Sequence, residues 1–463
     1  MTGKYKIAIL GAGSAGLAAA LYLLKKDKYD VFIFEEQNKI GGLGAGLEIN
    51  GNIYEYGPHL FHTVDKNIFG DIKELAGDII FPVERSVLIK FQDAYFTFPL
   101  TMKNVISKLP FTVICKAFFS FIFYFIKGNL FRPKVESSET ILIRNYGKVL
   151  YEIFFKSYII RVWGIPPSGF SSKFAKERIP LLATINWIFK FISALNMVTR
   201  KKVSTDSYVE RVEGNLYNTK KGFLGIIKRM KDEIEKRGGH IYTGRKVVSL
   251  HCRKDKIVSI LTDSNPEPFE CDGVISTLPV NNMVKMIEPK LPEEIIKSAK
   301  RLKFRALVFV GLLVNKEKIL PASFMYFREH AFNRITDMAY FGFEIKPKGH
   351  TLIVAEISCA TEDRFWTDDE FSKDAVINDL IRENLLSRDS IKEAHVYKSE
   401  YAYPIYELGF EERLQKLFEA LNSISNLTLA GRQGRFQYVN SHIAMKMGHE
   451  AVDELVSKMD SSI

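Results

Sequence analysis

Two hydrophobic patterns divide the sequence: short apolar runs that predict strands, and apolar positions at helical spacing. The run KIAIL (6–10) predicts a buried strand, LAAALYLLKK (17–26) predicts a helix, and VFIFE (31–35) predicts a second strand. Apolar positions recur at helical spacing through residues 135–200, which include two aromatic-rich stretches. The chain is therefore predicted to begin with a β-α-β unit and to continue into a helical region.

The second half of the chain predicts mostly strands. Residues 218–239 predict one helix that ends at Gly238 and Gly239, because glycine is common just past a helix C-terminus. The C-terminus is also predicted to be helical. The predicted strands cover residues 240–250, 271–279 (a strand with its turn), 303–315, 351–358 and 427–432.

The glycine-rich sequence GAGSAG joins the first strand to the first helix. In this context Gly11 suits a tight turn, Gly13 lets the backbone approach a pyrophosphate, and Gly16 lets the helix pack closely on the strand. Ser14 lies at the predicted helix N-terminus, which stabilises phosphate groups. Glu35 ends the second strand, where a carboxylate binds a ribose hydroxyl. The segment therefore predicts a dinucleotide site.

A glycine pair that follows the second strand distinguishes between dinucleotides. Gly41 and Gly42 complete the pattern E-x5-GG, which FAD-binding two-domain oxidoreductases carry directly after this strand. FAD is therefore favoured over NAD. In such proteins a later strand, which here contains Val247, contacts the adenine. The C-terminal LAGR sequence, with Gly431 and Arg432, is expected to close over the flavin.

The stretch YGPHLFHT fits neither a helix nor a strand. Pro58 lacks a backbone donor and restricts Gly57, so the backbone before His59 is constrained. No Glu, Asp or Cys follows at ligand spacing, so no metal site is predicted. A loop soon after the glycine pair is expected near the flavin ring. We therefore predict that His59 lies at the flavin and that His62 is structural.

These elements predict an α/β fold with discontinuous domains. A Rossmann-like FAD-binding domain of the two-glycine (GR2) type carries a helical insertion and a mixed or antiparallel β-sheet substrate domain. The predicted ranges are 1–80, 215–285 and 420–463 for the FAD-binding domain, 100–205 for the helical substrate domain, and 81–99 with 286–419 for the β-sheet substrate domain.

Composition and charge restrict the class of partner. The 463 residues are 46% hydrophobic and 26% charged, which is typical of a globular protein. A net charge of +11 favours phosphate-bearing substrates, nucleotide cofactors or an acidic membrane face, whereas the dispersed basic residues disfavour nucleic acid. The four cysteines are far apart and form no CxxC pair, which excludes a disulfide framework and fits a reducing compartment. The sequence predicts no signal peptide.

The stretch from Phe111 to Ile126 is almost wholly apolar, with Lys116 inside it. A membrane span needs about 20 apolar residues, so a span is disfavoured. Two interpretations stay open, and the first is preferred. The stretch is a buried helix of the substrate domain, or it is a helix that enters a membrane interface, followed by basic residues.

Several segments, in matching order, resemble the UDP-galactopyranose mutases. The sequence VFIFEEQNKIGG…YEYGPHLFHT resembles the N-terminal third of these enzymes, and residues 151–180 resemble their aromatic WG run with its Arg-Ile-Pro. FNRI (332–335), TLIVAEIS (351–358), YAYPIY (401–406) and GRQGRFQYVN (431–440) are similar to later segments. The chain is thus identified as a mutase-like flavoprotein within the wider amine oxidase and protoporphyrinogen oxidase-like FAD superfamily.

The resemblance implies roles for individual residues. His59, Arg178 and Arg334 are the implied catalytic residues, and the two arginines would hold a diphosphate, for which guanidinium forks are suited. Aromatic side chains suit uracil and sugar faces. The implied substrate-binding residues are Tyr158, Trp163, Arg178, Arg334, Glu356, Tyr403 and Tyr438. The predicted cofactor-binding residues are Gly11, Gly13, Ser14, Gly16, Glu35, Gly41, Gly42, His59, Val247, Gly431 and Arg432.

The resemblance implies a mutase that interconverts pyranose and furanose forms of a nucleotide-diphosphate sugar such as UDP-galactose, for cell-surface polysaccharide biosynthesis. It requires reduced FAD, whose N5 attacks the anomeric carbon, and therefore an external reductant. We expect a cytoplasmic enzyme, with the inner face of the membrane as an open possibility. Peripheral membrane contact through the 111–126 stretch and a homodimer are likewise left open.

Other features favour different functions. CDGVISTLP (271–279) resembles protoporphyrinogen oxidases, and Arg435 with Phe436 replaces the Glu-Tyr of the mutases. These departures put the substrate in doubt. The alternative is an FAD-dependent oxidoreductase of the protoporphyrinogen oxidase or amine oxidase type, acting on a lipophilic or sugar substrate. A third interpretation is a flavin-fold binding protein without turnover.

Overall fold

Strands and helices alternate through residues 4–98, 102–131, 133–179 and 215–460, which the computed structural model describes. The strands are β1 (Tyr5–Leu10), β2 (Tyr29–Phe34), β3 (Leu47–Ile49), β4 (Asn52–Tyr54), β5 (Phe81–Val83), β6 (Val87–Phe91), β7 (Ala94–Thr97), β8 (Leu216–Asn218), β9 (His240–Tyr242), β10 (Val247–Arg253), β11 (Lys256–Thr262), β12 (Asn265–Glu270), β13 (Gly273–Ser276), β14 (Ile287–Glu288), β15 (Phe304–Val314), β16 (Phe324–Tyr326), β17 (Arg334–Asp337), β18 (Thr351–Cys359), β19 (Ile391–Pro404) and β20 (Leu427–Leu429).

The helices cover both long and very short segments. They are α1 (Ser14–Leu24), α2 (Lys66–Ala76), α3 (Met102–Lys108), α4 (Phe111–Leu130), α5 (Ser138–Leu150), α6 (Ser157–Trp163), α7 (Ser172–Arg178), α8 (Phe223–Lys236), α9 (Val280–Met283), α10 (Glu293–Lys300), α11 (Arg364–Thr367), α12 (Asp369–Arg382), α13 (Phe410–Asn422), α14 (Gly431–Gly434) and α15 (Ser441–Asp460). Short 3-10 turns lie at Gly42–Gly44, Pro167–Gly169, Met338–Phe341 and Arg388–Ser390, and a π-helical segment lies at Tyr151–Lys156.

A five-stranded parallel sheet, in the order β20-β13-β1-β2-β9, carries the N-terminal β-α-β unit. Its central strand β1 is fully buried from Ile7 to Leu10, as expected for a parallel strand that is covered on both faces. Helices α8 and α15 both pack on α1. The sheet thus unites strands from three separated parts of the chain, and the predicted β-α-β beginning is confirmed.

A seven-stranded sheet forms the second large layer, in the order β19-β15-β18-β17-β16-β6-β7. Its neighbours are antiparallel except for β16 and β6, so the sheet is mixed. A smaller four-stranded sheet has the order β12-β11-β10-β14, and helices α4 to α7 form the helical insertion. The predicted fold class is confirmed, whereas the exact domain boundaries stay predictions.

Some predicted elements have different bounds in the structure. The strand predicted for 240–250 is two strands, because the chain turns at Gly244 and Arg245 donates its backbone N–H to Glu35 O instead of continuing β9. The helix predicted for 218–239 begins only at Phe223, since Thr219 Oγ1 accepts from the Lys221 N–H and holds a turn. The strand predicted for 427–432 ends at Leu429. Residues 180–200 of the predicted helical region lie outside the described residues.

Helix α4 contradicts the preferred interpretation of the stretch from Phe111 to Ile126. The stretch does form a helix, but most of its large apolar side chains are exposed, with Phe111 at 78% and Phe119 at 69%. Among the described residues, one helix is long and apolar enough to cross a membrane by length and composition. Its window Phe111–Gly128 has a mean hydropathy of 1.5, and 6% of it is buried. The interpretation as a buried core helix is wrong.

Candidate active site

The glycine-rich loop between β1 and α1 has the geometry of a phosphate-binding loop. A Cβ on Gly16 would lie 2.0 Å from Gly11 O, so only glycine allows the helix this close to the strand. A Cβ on Gly13 would meet no protein atom within 4 Å, so this side of the loop is open. Gly13 is the N-cap of α1 and offers no side-chain cap to the helix, which begins at Ser14. The first-turn N–H groups are therefore available to an anion.

The predicted ribose and adenine residues lie next to this loop. Glu35 follows β2, and its carboxylate accepts hydrogen bonds from the Ala12 and Gln37 N–H groups, both at 2.9 Å. Burial raises the pKa of Glu35, and these two N–H donors oppose the rise. Val247 is buried at the start of β10. Glu35 thus lies against the glycine loop, and Arg245, two residues before Val247, donates its backbone N–H to Glu35 O; the adenine role of Val247 stays a prediction.

The second glycine pair lies against the first glycine loop. Gly41 and Gly13 form a parallel β-bridge, and the Gly41 N–H donates to Ala12 O at 2.8 Å. Gly42 lies close enough for its Cβ position to be 3.4 Å from the Gly13 Cα. The E-x5-GG motif therefore builds one continuous glycine surface with the helix N-terminus.

The loop that contains His59 is held by Glu55, which sequence reasoning missed. The buried Glu55 carboxylate accepts from the Phe223 N–H at 2.7 Å and from the His59 N–H at 3.2 Å. Tyr397 donates its hydroxyl to Glu55 O at 2.7 Å. A carboxylate inside an otherwise apolar strand sequence, NIYEY, was the signal that could have identified it. These bonds fix the backbone on both sides of Gly57.

Burial shifts the pKa values in this loop in opposite directions. It raises the pKa of Glu55 to about 8, against the effect of the two N–H donors. Burial, together with the nearby Arg432 and Arg334 charges, lowers the pKa of His59 to about 4. His59 is therefore neutral at neutral pH. Since its Nδ1 lies 3.0 Å from Gly57 O, which only accepts, the proton is assigned to Nδ1 and Nε2 is the acceptor.

Arg334 and Glu356 form a bidentate ion pair below the His59 loop. They are direct partners on β17 and β18, with Nε to Oε1 at 2.5 Å and Nη2 to Oε2 at 2.8 Å. Burial raises the pKa of Glu356, and the Arg334 charge opposes the rise. Gly57 covers the pair so closely that a Cβ would lie 2.7 Å from Glu356 Oε1. The sequence predicted both residues for the substrate site but not their pairing.

Tyrosine side chains surround this ion pair, and we call the set Tyr158, Tyr326, Tyr403 and Tyr438 the tyrosine wall. Tyr403 and Tyr438 have ring centroids 4.7 Å apart, and Tyr158 packs edge-on to Tyr326 at 6.0 Å. The Arg334 charge lowers the pKa of both Tyr158 and Tyr403. Burial has the larger effect and raises the pKa of each phenol well above its usual value. The hydroxyls of Tyr158 and Tyr403 therefore stay protonated and can donate hydrogen bonds at all physiological pH values.

Tyr326 was not predicted, although it faces Arg334 in the β16–β17 hairpin. The antiparallel register of that hairpin places it there, and no sequence pattern gives that register. Trp163 was predicted to line the pocket, but it is 5% exposed and packs on Phe174, Tyr403 and Tyr438. It therefore supports the tyrosine wall from behind.

Arg432 lies at the other end of the tyrosine wall. Its Nε and Nη2 donate to Val439 O at 3.0 and 2.7 Å, and its Nη1 donates to Ala402 O at 3.1 Å. Its guanidinium carbon lies 4.8 Å from the Tyr438 ring centre. Gly431 begins α14, directly before it. Arg178 ends α7, and its side chain lies outside what the structure describes, so its predicted role stays a prediction.

Comparison with known proteins agrees with this geometry. Residues 183–455 match the model of the family "Flavin containing amine oxidoreductase", and residues 9–75 match an "NAD(P)-binding Rossmann-like domain". The chain belongs to the flavin containing amine oxidoreductase family. It is therefore an enzyme of the flavin amine oxidase superfamily.

Individual relatives of the family cover different parts of the chain. A "Probable UDP-galactopyranose mutase" of Klebsiella pneumoniae is 28% identical over 178 residues, which are 38% of this chain and 45% of that protein. The chain thus spans less than half the length of the curated relatives it matches.

Solved structures match almost the whole chain and show its fold. A reduced UDP-galactopyranose mutase superposes with a TM-score of 0.81 at 20% identity, over 98% of this chain and 94% of that one. A "Putative protoporphyrinogen oxidase" from Exiguobacterium sp. 255-15 superposes with a TM-score of 0.72 at 16% identity, over 98% and 99% of the two chains.

The cofactor of this flavin containing amine oxidoreductase is FAD, and the site fits it. The open side of Gly13 and the uncapped α1 N-terminus suit the pyrophosphate, and Glu35 suits the ribose. The loop of His59 and the segment at Arg432, which follows the last strand, lie close enough for the Arg432 charge to lower the pKa of His59. These two segments are the ones predicted to enclose the flavin ring.

Proposed function

We propose that the chain is a flavin-dependent mutase that interconverts the pyranose and furanose forms of a sugar carried on a diphosphate, with UDP-galactose as the first candidate. The observation that carries the proposal is the set of phenol hydroxyls around Arg334, beside the His59 loop. A polyhydroxylated sugar uses such donors, whereas a purely apolar substrate leaves them unpaired. The similarity to the probable UDP-galactopyranose mutase of Klebsiella pneumoniae supports the same reaction.

Each residue of the site has a defined task in this proposal. Glu356 occupies Nε and Nη2 of Arg334, and no bond from Nη1 is found to any residue that the structure describes. Arg334 therefore offers Nη1 to a substrate oxygen in an orientation that Glu356 fixes. Because the pair is close to neutral, we assign most of the negative charge of the diphosphate to Arg178, the other arginine that the resemblance implies at this group.

The tyrosines and His59 provide orientation rather than acid–base catalysis. The phenols of Tyr158 and Tyr403 stay protonated, so they donate to sugar and phosphate oxygens. Neutral His59 presents Nε2 as an acceptor towards the cofactor. When bound, reduced FAD supplies a nucleophilic nitrogen for the anomeric carbon, and the reaction has no net redox change.

The second candidate is an FAD-dependent oxidoreductase acting on a lipophilic or sugar substrate. The exposed apolar helix α4 favours it, because that helix suits a lipid-rich environment. The matched protoporphyrinogen oxidase fold is compatible with it. The hydroxyls of Tyr158 and Tyr403 argue for the mutase instead, since a lipophilic substrate offers them no acceptor.

A paired assay separates the two candidates. Holoenzyme is incubated with UDP-galactopyranose or UDP-galactofuranose, once after dithionite reduction and once oxidised, and products are separated by chromatography. Interconversion by the reduced enzyme alone is expected. Arg178→Ala and Arg334→Ala are expected to lower kcat/KM at least 100-fold, and Arg388→Ala, at an exposed arginine, is expected to leave it within twofold. Flavin reduction by substrate with oxygen uptake, and no interconversion, would establish the oxidoreductase.

A further inference from the structure

Helix α4 presents an uncovered apolar face that the proposed reaction does not use. The exposed apolar side chains of α4 form two rows with a spacing of four residues, so they lie on one side of the helix. The exposed large apolar side chains of this face are Phe111, Phe118, Phe119, Ile122, Phe123, Ile126 and Leu130. We call this set the α4 outer face. A contiguous aromatic and aliphatic face of this kind marks an interaction surface.

The opposite side of α4 is fixed to helix α5. A Cβ on Gly147 would lie 2.6 Å from the Phe121 backbone N, so the two helices are in close contact there. The Val149 N–H donates to Ser120 Oγ at 3.3 Å. Gly128 lies against the Arg144 side chain at the far end of α4. The helix is therefore held against the protein, and it cannot cross a membrane without losing these contacts.

The part of the sequence that contains α4 carries charge of one sign. Between Asp93 and Glu136 the sequence contains no acidic residue. The basic residues in this interval are Lys103, Lys108, Lys116, Lys127, Arg132 and Lys134. Apolar side chains with basic neighbours and no acidic ones are the pattern of a helix that lies in the plane of an anionic membrane surface.

We propose that the α4 outer face docks the protein on a bilayer that contains anionic lipids. The helix lies parallel to the surface, with its phenylalanines among the acyl chains and its lysines at the phosphates. Charge favours this occupant over a second copy of the chain, because a twofold contact through α4 would bring Lys116 and Lys127 of one copy near the same two lysines of the other. The 20-residue helix is about 30 Å long, which gives the face a broad contact.

The experiment uses purified full-length holoenzyme and sedimented vesicles. Vesicles of phosphatidylcholine with 30% phosphatidylglycerol are compared with vesicles of phosphatidylcholine alone, and the bound fraction gives a partition coefficient. We expect at least tenfold stronger binding to the anionic vesicles. The double variant Phe119→Glu/Phe123→Glu is expected to lower the partition coefficient at least tenfold, because it places carboxylates at the lipid phosphates.

A matched control carries the same added charge elsewhere. Val258→Glu/Leu408→Glu alters two exposed apolar residues outside α4 and is expected to bind vesicles within twofold of the wild type. Both variants are expected to keep the flavin absorbance and the melting temperature, since the changed side chains are exposed. The outcome is independent of the reaction catalysed, because it is read without substrate.

Three results would overturn the proposal. The first is wild-type protein that binds neither vesicle. The second is a Phe119→Glu/Phe123→Glu variant that binds like the wild type. The third is evidence that protein covers the face. Such evidence is either a wild-type dimer in sedimentation velocity that this variant converts to a monomer, or a marked fall in the melting temperature of the variant.

Discussion

Arg334 and Glu356 lie directly opposite each other on neighbouring strands and share two hydrogen bonds, of 2.5 and 2.8 Å, with Gly57 directly over them. The carboxylate is 4% exposed, so it has almost no water to replace its partner. Removing one member of such a pair leaves the other charge buried and unpaired. The stability of the fold and the proposed function of the site therefore depend on the same contact.

The first prediction concerns this pair. Glu356→Gln is expected to lower the free energy of unfolding by about 3 kcal/mol, because the Arg334 charge loses its partner. Urea unfolding of the holoenzyme at constant excess FAD measures the change. The control is Glu293→Gln, which breaks an exposed i,i+4 pair with Lys297 and is expected to cost less than about 0.5 kcal/mol. Similar small losses in both variants would contradict the buried-pair argument.

The second prediction concerns the close approach of Gly57 to the pair. Its φ is +84°, and a Cβ would lie 2.7 Å from Glu356 Oε1 and 2.9 Å from Arg334 Nη2. Gly57→Ala therefore strains the backbone and displaces the ion pair. We expect a loss of stability of about 3 kcal/mol and a loss of the proposed activity.

Gly51→Ala is the matched control for this substitution. Gly51 also has a positive φ, of +77°, but the nearest atom to its Cβ position is Lys346 Cδ at 3.8 Å. It shares the backbone strain without the contact, so a loss of about 1 kcal/mol is expected, with activity retained. Thermal denaturation and the activity assay measure both variants, and equal losses would show that strain alone accounts for the effect.

The third prediction separates cofactor binding from folding. A Cβ on Gly13 meets no protein atom, and its φ of −77° is allowed for alanine, so Gly13→Ala is expected to fold normally. The added methyl would occupy the space where the pyrophosphate approaches. FAD affinity, measured by titration of apoprotein, is expected to fall at least tenfold. Gly70→Ala is equally unobstructed but lies in α2, and is expected to leave the affinity unchanged.

The fourth prediction is a pH dependence caused by Glu55. Its pKa is about 8 in the folded protein, above the ordinary value of 4.5, so the folded state binds more protons than the unfolded state between these values. Stability from this group is complete below pH 4.5 and is lost as pH rises through 8. Between pH 6.5 and 8.5 the loss is about 2 kcal/mol.

Glu55→Gln keeps an acceptor for the Phe223 and His59 N–H groups but does not titrate. The difference in unfolding free energy between the variant and the wild type, measured at several pH values, should therefore change by the same 2 kcal/mol. His59, whose pKa is about 4 in the folded protein and 6.5 in the unfolded chain, is present in both proteins, so its contribution cancels in this difference. A difference that is constant with pH would show that Glu55 is ionised throughout.

The β-α-β unit around the first glycine loop could be predicted from the sequence because its interactions are local. KIAIL, GAGSAG and VFIFE are consecutive, and a strand, tight turn and helix of these types pack in one way. Gly16 illustrates this, since its close contact is with Gly11, five residues earlier. The motif E-x5-GG extended the same local argument to Gly41 and its bridge with Gly13.

Burial of α4 was predicted wrongly because an apolar sequence does not specify whether its side chains face the protein core or the protein surface. The side chains of an apolar helix can be removed from water equally well by a protein core and by a lipid surface. The sequence could show the absence of acidic residues around it, but only the packing of α5 on one side shows which face is left exposed.

By itself, the sequence determined the FAD-binding unit, its glycines and the acid Glu35, because all of these act through neighbours in the chain or through the fixed geometry of a β-α-β unit. Only the tertiary structure decided that Arg334 is paired with Glu356, that Tyr326 joins the tyrosine wall, and that Trp163 stands behind it. Strand register and side-chain packing bring these residues together across long sequence separations. No local sequence pattern specifies which opposite charge a buried residue such as Arg334 will pair with.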